Sequence, residues 1–373
     1  MCRFKLTQLQ TTTTYPSSIR TNSMANRDKT IDIGKGIAII LMCVGHSYVC
    51  TFLDTFIYLF HMAFFFMMSG YFFREKNLAN PKTFVWKRIK GLYFPFVKWG
   101  FIFVALHNVF TALGINTREA GFYSIKDMAY KAFTTNTRFI PTEECMGPYW
   151  FFSCLFFVSL LSFTIFHVNK NSRHKAFTTT ASFIWLYTLG FVLHYLNIAG
   201  GLMQIIIRTF VVSFIFYLGY LLGTRFKDKI NYQNPFLILG SFVVLCIGVI
   251  GGAKISIPQL EFTNPVCFPL FSIAGCFLIL GISSYIHKND TLSKTFAYIG
   301  EHSLSILLVN LLLRRIYLII LFRIEYEGID FNNLDLQQTL HWWDSIGCTV
   351  FMVVVPVACT LIKRKTSNLI TIL

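Results

Sequence analysis

Hydrophobic residues occupy most of the chain in long runs, which short polar stretches separate. The runs are about 20 residues long, the length that a helix needs to cross about 30 Å of hydrocarbon at about 1.5 Å per residue. The pattern predicts an all-α polytopic membrane protein with about ten transmembrane helices. The predicted spans are 33–53, 56–73, 92–114, 148–168, 177–195, 203–223, 235–255, 265–287, 303–322 and 341–362.

Composition supports this class and excludes a water-soluble enzyme. Hydrophobic residues make up 54% of the chain and charged residues 13%, whereas soluble domains carry about 25% charged residues. The formal net charge of +16 could indicate a nucleic-acid partner. However, the basic residues lie between the apolar runs and mostly on one side, so we expect membrane lipids and no nucleic acid as partners.

The distribution of lysine and arginine predicts the orientation in the membrane. With the N-terminus inside, 22 of the 33 Lys and Arg residues fall in cytoplasmic segments, five fall in outer segments and six fall inside the spans. The excess of positive charge inside predicts that both termini are cytoplasmic.

The spans predict one membrane-embedded unit at 31–365, with a short cytoplasmic tail at 366–373. Residues 1–30 are polar and Thr-rich, which suggests a disordered leader or sequence upstream of a start at Met24. The longest outer loop, 115–147, is too short for a domain of its own. The ten cysteines show no paired spacing, so neither a disulfide framework nor a metal site is expected.

Ionisable groups inside the apolar runs are functional candidates, because burying them in lipid is costly. His46 lies about 20 Å above the inner start of the first span, and His61 lies about 7.5 Å below the outer end of the second. A two-residue link makes these helices antiparallel neighbours, so the histidines converge at one depth. Arg208 falls in the same layer, and Arg314 and Arg315 lie near or just above the middle of the ninth span.

Lys35 lies at the cytoplasmic mouth, about 16 Å below His46. The 11-residue spacing is within about 20° of three full turns, so Lys35, Met42 and His46 share a helix face. Asp32 is three residues before Lys35 and can pair with it. The pattern predicts a path with a cation at its cytosolic entrance and imidazoles farther out.

This path favours an anionic ligand or a developing oxyanion, because no Asp or Glu lies deep in a span. With a reference pKa of about 6.5, a histidine is available as a neutral general base at pH 7. Each group also has a purely structural interpretation. The histidines can hydrogen-bond between helices, Lys35 can extend to the interface, the arginines can satisfy backbone carbonyls, and Trp150 can anchor the membrane interface.

Several motifs resemble those of the acyltransferase family 3 integral membrane acyltransferases, in particular the polysaccharide O-acetyltransferase-like branch. The resemblance is dense over residues 32–96 and sparse beyond. The matching segments are Asp32-Ile-Gly-Lys-Gly36, Val44-Gly-His-Ser47, Phe60-His-Met-Ala-Phe-Phe-Phe66, Ser69-Gly-Tyr-Phe-Phe73, Lys87-Arg-Ile-Lys90 followed by Leu92-Tyr-Phe-Pro-Phe96, Gly147-Pro-Tyr-Trp-Phe-Phe152 and Ile299-Gly-Glu-His-Ser-Leu-Ser-Ile306.

The resemblance implies that 31–365 is a single acyltransferase domain that moves an acyl group, usually acetyl, from cytosolic acyl-CoA to a hydroxyl of a sugar or other acceptor. Lys35 and His46 correspond to the family's basic residue, ten intervening residues and histidine, with Lys where many members have Arg. His61 corresponds to the histidine of the second motif. Asn310 stands where several members have a histidine.

The leading hypothesis is an O-acetyltransferase in the inner membrane of a bacterium, with acetyl-CoA as donor, no permanently bound cofactor, and a glycan or lipid-linked sugar as acceptor. His46 would act as general base or accept the acyl group transiently. The alternative is a transporter for an anionic lipid-linked sugar, which the lack of an internal repeat weakens. The candidate residues are His46 and His61 for catalysis, Lys35, Arg208, Arg314, Arg315 and Trp150 for substrate binding, and Lys35, Arg88 and Lys90 for the CoA donor.

Overall fold

A computed structural model describes residues 29–197, 200–326 and 335–370. Over these residues the protein is helical apart from one short antiparallel hairpin, β1 (Ile255–Ser256) and β2 (Glu261–Phe262). The helices, in chain order, are α1 Lys29–Gly45, α2 Thr51–Tyr58, α3 His61–Tyr71, α4 Pro81–Arg88, α5 Phe94–Ala112, α6 Ile125–Arg138, α7 Trp150–Asn169, α8 Lys175–Tyr195, α9 Gly201–Leu221, α10 Pro235–Ile250, α11 Cys267–Ile286, α12 Asp290–Glu301, α13 Ser303–Ile324, α14 Leu336–Thr339 and α15 Trp342–Ile370.

Eight helical segments of the described chain are long and apolar enough to cross a membrane. Two shorter helices, α1 with 17 residues and α10 with 16, occupy the positions of the first and seventh predicted spans. The prediction of an all-α polytopic membrane protein is therefore confirmed. The eight long segments are Thr51–Tyr71, Pro81–Ala112, Glu144–Asn169, Lys175–Tyr195, Gly201–Phe226, Cys267–Ile286, Ser303–Ile324 and Trp342–Lys363.

The first two spans differ from the prediction in how they are divided. The first helix ends at Gly45, so residues 46–50 are not helical, and the chain turns at Tyr48 with a positive φ of 59°. The second span starts at Thr51 and its regular helix is interrupted at Leu59 and Phe60, where Phe60 has φ −147°. Both interruptions lie within apolar sequence, so hydrophobicity gives no sign of them.

The seventh span is also shorter than predicted. It ends at Ile250, because the chain turns at Gly251 and Gly252, and Gly252 has a positive φ of 70°. The Ala253 N–H then donates to the Gly248 carbonyl at 2.8 Å, a bond typical of a helix C-terminus. Lys254, which was predicted to lie within the span, instead begins the hairpin, where it pairs with Glu261 at 2.9 Å.

The predicted outer loop 115–147 contains α6, which packs along α5. Its N-terminus has a capping box between Ser124 and Asp127. The Asn108 side chain bonds the Tyr123 backbone near the outer end of α5, whereas the Tyr93 hydroxyl donates to the Asn136 carbonyl just before α5 begins. The loop therefore runs back antiparallel to α5 for most of its length.

Glycines allow several helices to approach closely. A Cβ added at Gly70 of α3 would meet the Phe216 carbonyl of α9, and one added at Gly219 of α9 would meet the Met67 carbonyl of α3. Gly36 of α1 and Gly300 of α12 are related in the same way. Such contacts between helix backbones are typical of membrane bundles, where small residues permit tight packing.

We expect Gly219→Ala to destabilise the protein by about 1–3 kcal/mol, because the added methyl group would push α3 and α9 apart. Gly240→Ala is the matched control, since its Cβ would meet nothing within 4 Å. That substitution should stabilise helix α10 by about 0.5–1 kcal/mol. The midpoint of thermal unfolding in detergent measures both effects. Equal midpoints for the two variants would contradict the close α3–α9 contact.

Candidate active site

A cavity of about 460 Å³ lies where α1 ends and the second span is interrupted. His46 enters it from the turn after α1, and Tyr58 and His61 enter it from either side of the interruption at residues 59 and 60. Arg314 of α13, Trp150 of α7 and residues of the hairpin also line it. The cavity therefore collects side chains from five separated parts of the chain.

His61 is the first residue of α3, and its side chain is buried, with 3% exposure. Its Nδ1 lies 2.8 Å from the Ile57 carbonyl oxygen. A carbonyl only accepts hydrogen bonds, so Nδ1 must carry the proton in this contact. The neutral imidazole therefore has its lone pair on Nε2, on the far side of the ring from Ile57. The backbone thus fixes a base-competent tautomer of His61.

Tyr58 lies between the two histidines. Its hydroxyl is 3.5 Å from Nδ1 of His46, and its ring meets that of His61 edge to face with centroids 5.0 Å apart. Tyr58 was not among the residues predicted from the sequence, because most of those were ionisable groups within the apolar runs. The helical spacing of Tyr58 to Asp54 and His61 was the available signal, since residues three and four apart share a helix face.

Arg314 supplies a cation at the wall of the cavity. Its guanidinium lies over the Tyr48 ring, with the Cζ atom 5.2 Å from the ring centroid. Its Nε is buried and has no hydrogen-bond partner among the described residues. A buried donor without a partner is costly, so this N–H suits a ligand oxygen. Arg315, the next residue, lies instead 3.9 Å from the Glu144 carboxylate.

Arg208 has a different position from the one that the sequence suggested for a substrate ligand. It does not line the cavity; its Nε donates to the Ile257 carbonyl at 3.1 Å and its Nη2 to the Pro258 carbonyl at 2.5 Å. Its guanidinium also lies 5.7 Å from the centroid of Trp150, which does line the cavity. Arg208 therefore ties the hairpin, residues 254–261, to α9 and α7.

The hairpin forms one wall of the cavity through Ser256, Gln259 and their neighbours. Sequence analysis missed it, because the apolar run of the seventh span continues into β1. With two carbonyls held by Arg208, the hairpin backbone has a fixed position against the helices.

The residues predicted to hold the CoA donor lie away from this cavity. Lys35 is near the other end of α1, where it forms the predicted pair with Asp32 at 3.2 Å and lies over the Phe72 ring. Arg88 and Lys90 lie over the rings of Phe84 and Trp86. Between Lys35 and His46, Met42 is buried and borders the cavity. The described residues contain no group of three or more His, Cys, Asp and Glu that could hold a metal ion.

Comparison with known proteins gives the family. Residues 28–361 match the family described as an acyltransferase domain, which covers most of the 373 residues. The chain therefore belongs to this family of acyltransferases and is a multi-pass membrane acyltransferase. No curated protein and no solved structure matches the chain.

We expect Arg208→Gln to loosen the hairpin, because the shorter amide cannot donate to both carbonyls that the guanidinium holds. Trypsin added to the outer face of proteoliposomes should then cut after Lys254, whose side chain is 73% exposed, several-fold faster than in the native chain. Arg323→Gln, at an exposed arginine near the outer end of α13, is the control and should leave the cleavage rate unchanged. Unchanged cleavage in Arg208→Gln would show that other contacts hold the hairpin.

Proposed function

We propose that the protein is an O-acetyltransferase of a bacterial inner membrane, which moves acetyl from cytosolic acetyl-CoA to a hydroxyl of a cell-surface glycan or its lipid-linked precursor. The observation that carries the proposal is the cavity in which His46, Tyr58, His61 and Arg314 come together. Family membership supplies acyl transfer, and this cavity holds the groups that such a reaction requires: a general base and a donor for the oxyanion.

The proposed reaction is a direct transfer. His46 takes the proton of the acceptor hydroxyl as its oxygen attacks the thioester carbonyl carbon. The C–S bond then breaks, and the thiolate of CoA takes the proton back from His46. The products are the acetyl ester and free CoA, with no other reactant.

The remaining side chains support this transfer. The carbonyl oxygen becomes negative during attack, and the unpartnered Nε–H of Arg314 can stabilise it. His61, with its tautomer fixed by Ile57, presents an acceptor nitrogen that orients a substrate hydroxyl or the neighbouring Tyr58. Trp150 contributes an apolar face to the cavity wall.

The donor would arrive from the end of α1 that carries Lys35. Arg88 and Lys90 come shortly before the start of α5 in the sequence. Their positive charges suit the phosphates of CoA. The rise from Lys35 to His46 is about 16 Å along the helix, a distance that the extended pantetheine arm would have to cover. Met42 borders the cavity on this side.

We expect His46→Ala to lower acetyl transfer by about 10²–10⁴-fold, because it removes the general base. Mass spectrometry of total surface glycan and glycolipid, from strains with the intact gene, a deletion or the variant, measures the base-labile acetyl group. His174→Ala is the control, since this exposed histidine lies at the start of α8, away from the cavity. Membrane levels of all variants should be equal. A native amount of acetyl ester in His46→Ala would overturn the assignment.

We expect Lys35→Gln to raise the KM for acetyl-CoA about tenfold, because a charge-assisted contact with a phosphate is lost. The substitution should leave the KM for the acceptor unchanged. Lys294→Gln, at an exposed lysine of α12, is the matched control. Steady-state release of CoA in membrane vesicles gives both constants. An unchanged KM for acetyl-CoA would show that Lys35 serves only its pairing with Asp32.

A further inference from the structure

A second cavity, of about 510 Å³, lies beside the first one. The two cavities share His46, Asp54, Tyr58 and Arg314, so these side chains form the boundary between them. We call the second cavity the polar chamber. Its other polar and aromatic lining residues are Tyr48, Thr117, Arg315, Asp335 and Gln337.

Several of the polar groups in this chamber are already held by protein contacts. Asp335 accepts a hydrogen bond from the Gln337 backbone at 3.1 Å and so caps α14. Glu144 accepts from the Thr117 backbone N–H at 3.0 Å and lies near Arg315. These contacts fix the walls of the chamber, and Glu144 offsets the charge of Arg315.

Two charged groups remain for a ligand. Asp54 is half-buried at the boundary, and none of the described residues forms a hydrogen bond or ion pair with its carboxylate. Arg314 presents its unpartnered Nε–H at the same boundary. A molecule in the chamber would therefore meet one strong hydrogen-bond acceptor and one strong donor beside His46.

This combination fits a polyhydroxylated ring. A carboxylate accepts hydrogen bonds from hydroxyls, a guanidinium donates to them, and the rings of Tyr48 and Tyr58 offer apolar faces. The volume is within the range of about 300–1,000 Å³ that is typical of small-molecule sites. The lining carries the carboxylates of Asp54 and Asp335 as well as the guanidinium groups of Arg314 and Arg315, and Glu144 lies beside Arg315. The chamber therefore has no excess of positive charge to hold the phosphates of CoA.

We propose that the polar chamber is the acceptor subsite, in which a sugar ring lies with one hydroxyl toward His46 and is held by Asp54, while the Arg314 Nε–H at the boundary serves the oxyanion. The thioester then occupies the first cavity, with its carbonyl carbon at the boundary beside His46, where the hydroxyl can attack it. This inference rests on the proposed function and adds a separate binding site for each of the two substrates. It makes Asp54 a binding residue for the acceptor.

A steric block on α14 tests the proposal. Gln337 lines the chamber, whereas Gln338, its neighbour in sequence, does not line it and is also exposed. Gln337→Trp should lower gene-dependent acetyl ester on surface glycan at least about tenfold, because the indole would occupy the space of the sugar ring. Gln338→Trp should retain the native amount. Both variants should reach the membrane at the native level.

A second variant, in which the new side chain has nearly the same volume as the old one, separates a loss of binding from misfolding. Asp54→Asn should raise the KM for methyl hexosides, added as acceptors to proteoliposomes, about tenfold because the amide is a weaker acceptor than a carboxylate. The KM for acetyl-CoA should remain unchanged. Asp228→Asn, at an exposed aspartate in a loop that contributes to neither cavity, is the control and should leave both constants unchanged.

The outcomes separate this inference from the proposed function. If the native chain neither releases CoA nor produces the ester, the proposed function fails. If the native chain is active and Gln337→Trp matches Gln338→Trp, the acceptor subsite lies elsewhere. If either chamber variant raises the KM for acetyl-CoA and not that of the acceptor, the chamber holds the donor, and the assignment is overturned.

Discussion

The requirement that buried backbone groups find partners within the protein governs this structure. Lipid offers no hydrogen bonds, so a chain that crosses it remains helical unless a break lies within the protein or lines a cavity. Here the first two spans are interrupted after Gly45 and at Leu59 and Phe60, and the resulting ends meet at the candidate active site. The interruptions place His46 and His61 at helix ends, where their side chains border the cavity and not lipid.

The interruption at residues 59 and 60 is held by packing and not by polar contacts alone. Phe60 is fully buried against Gly275 of α11, where a Cβ would collide with the phenyl ring. In the preceding turn the Ile57 carbonyl accepts hydrogen bonds from the Phe60 backbone N–H at 3.2 Å and from His61 Nδ1 at 2.8 Å. One local break thus places the His61 ring against a backbone acceptor and selects its tautomer, so the fold itself orients this side chain at the cavity.

Several positively charged side chains of the helices also have partners within the protein. Arg208 lies in the outer half of a long apolar helix, and two backbone carbonyls of the hairpin and the face of Trp150 compensate its charge. Arg315 lies near Glu144, and Lys35 pairs with Asp32. Arg314 differs from these three residues, because its Nε has no partner in the described part of the chain. A donor left unpaired next to a histidine is more readily explained by a substrate than by stability.

Sequence patterns predicted the all-α membrane class, the pairing of Lys35 with Asp32, and the convergence of His46 and His61. These features depend on helix length and spacing, which hydrophobic periodicity encodes directly. The patterns failed where the chain stops being helical within apolar sequence, at residues 46–50, 59–60 and 251–255. The hairpin depends on such a break and could not be inferred from spacing, whereas Asp54 and Tyr58 lie four residues apart on one helix, and spacing was a usable signal for them.

The arrangement of the two cavities bears on why acyl transfer suits this fold better than transport. A transporter needs a pathway that its whole substrate crosses, with matched gates on both sides. In acyl transfer only the reactive end of the donor must reach His46, while the charged nucleotide part can remain near Lys35. The acceptor can approach from the outer end without passing Met42. The separation of a cationic inner region from a polar outer chamber therefore matches two substrates that meet at one histidine and leave by the sides from which they came.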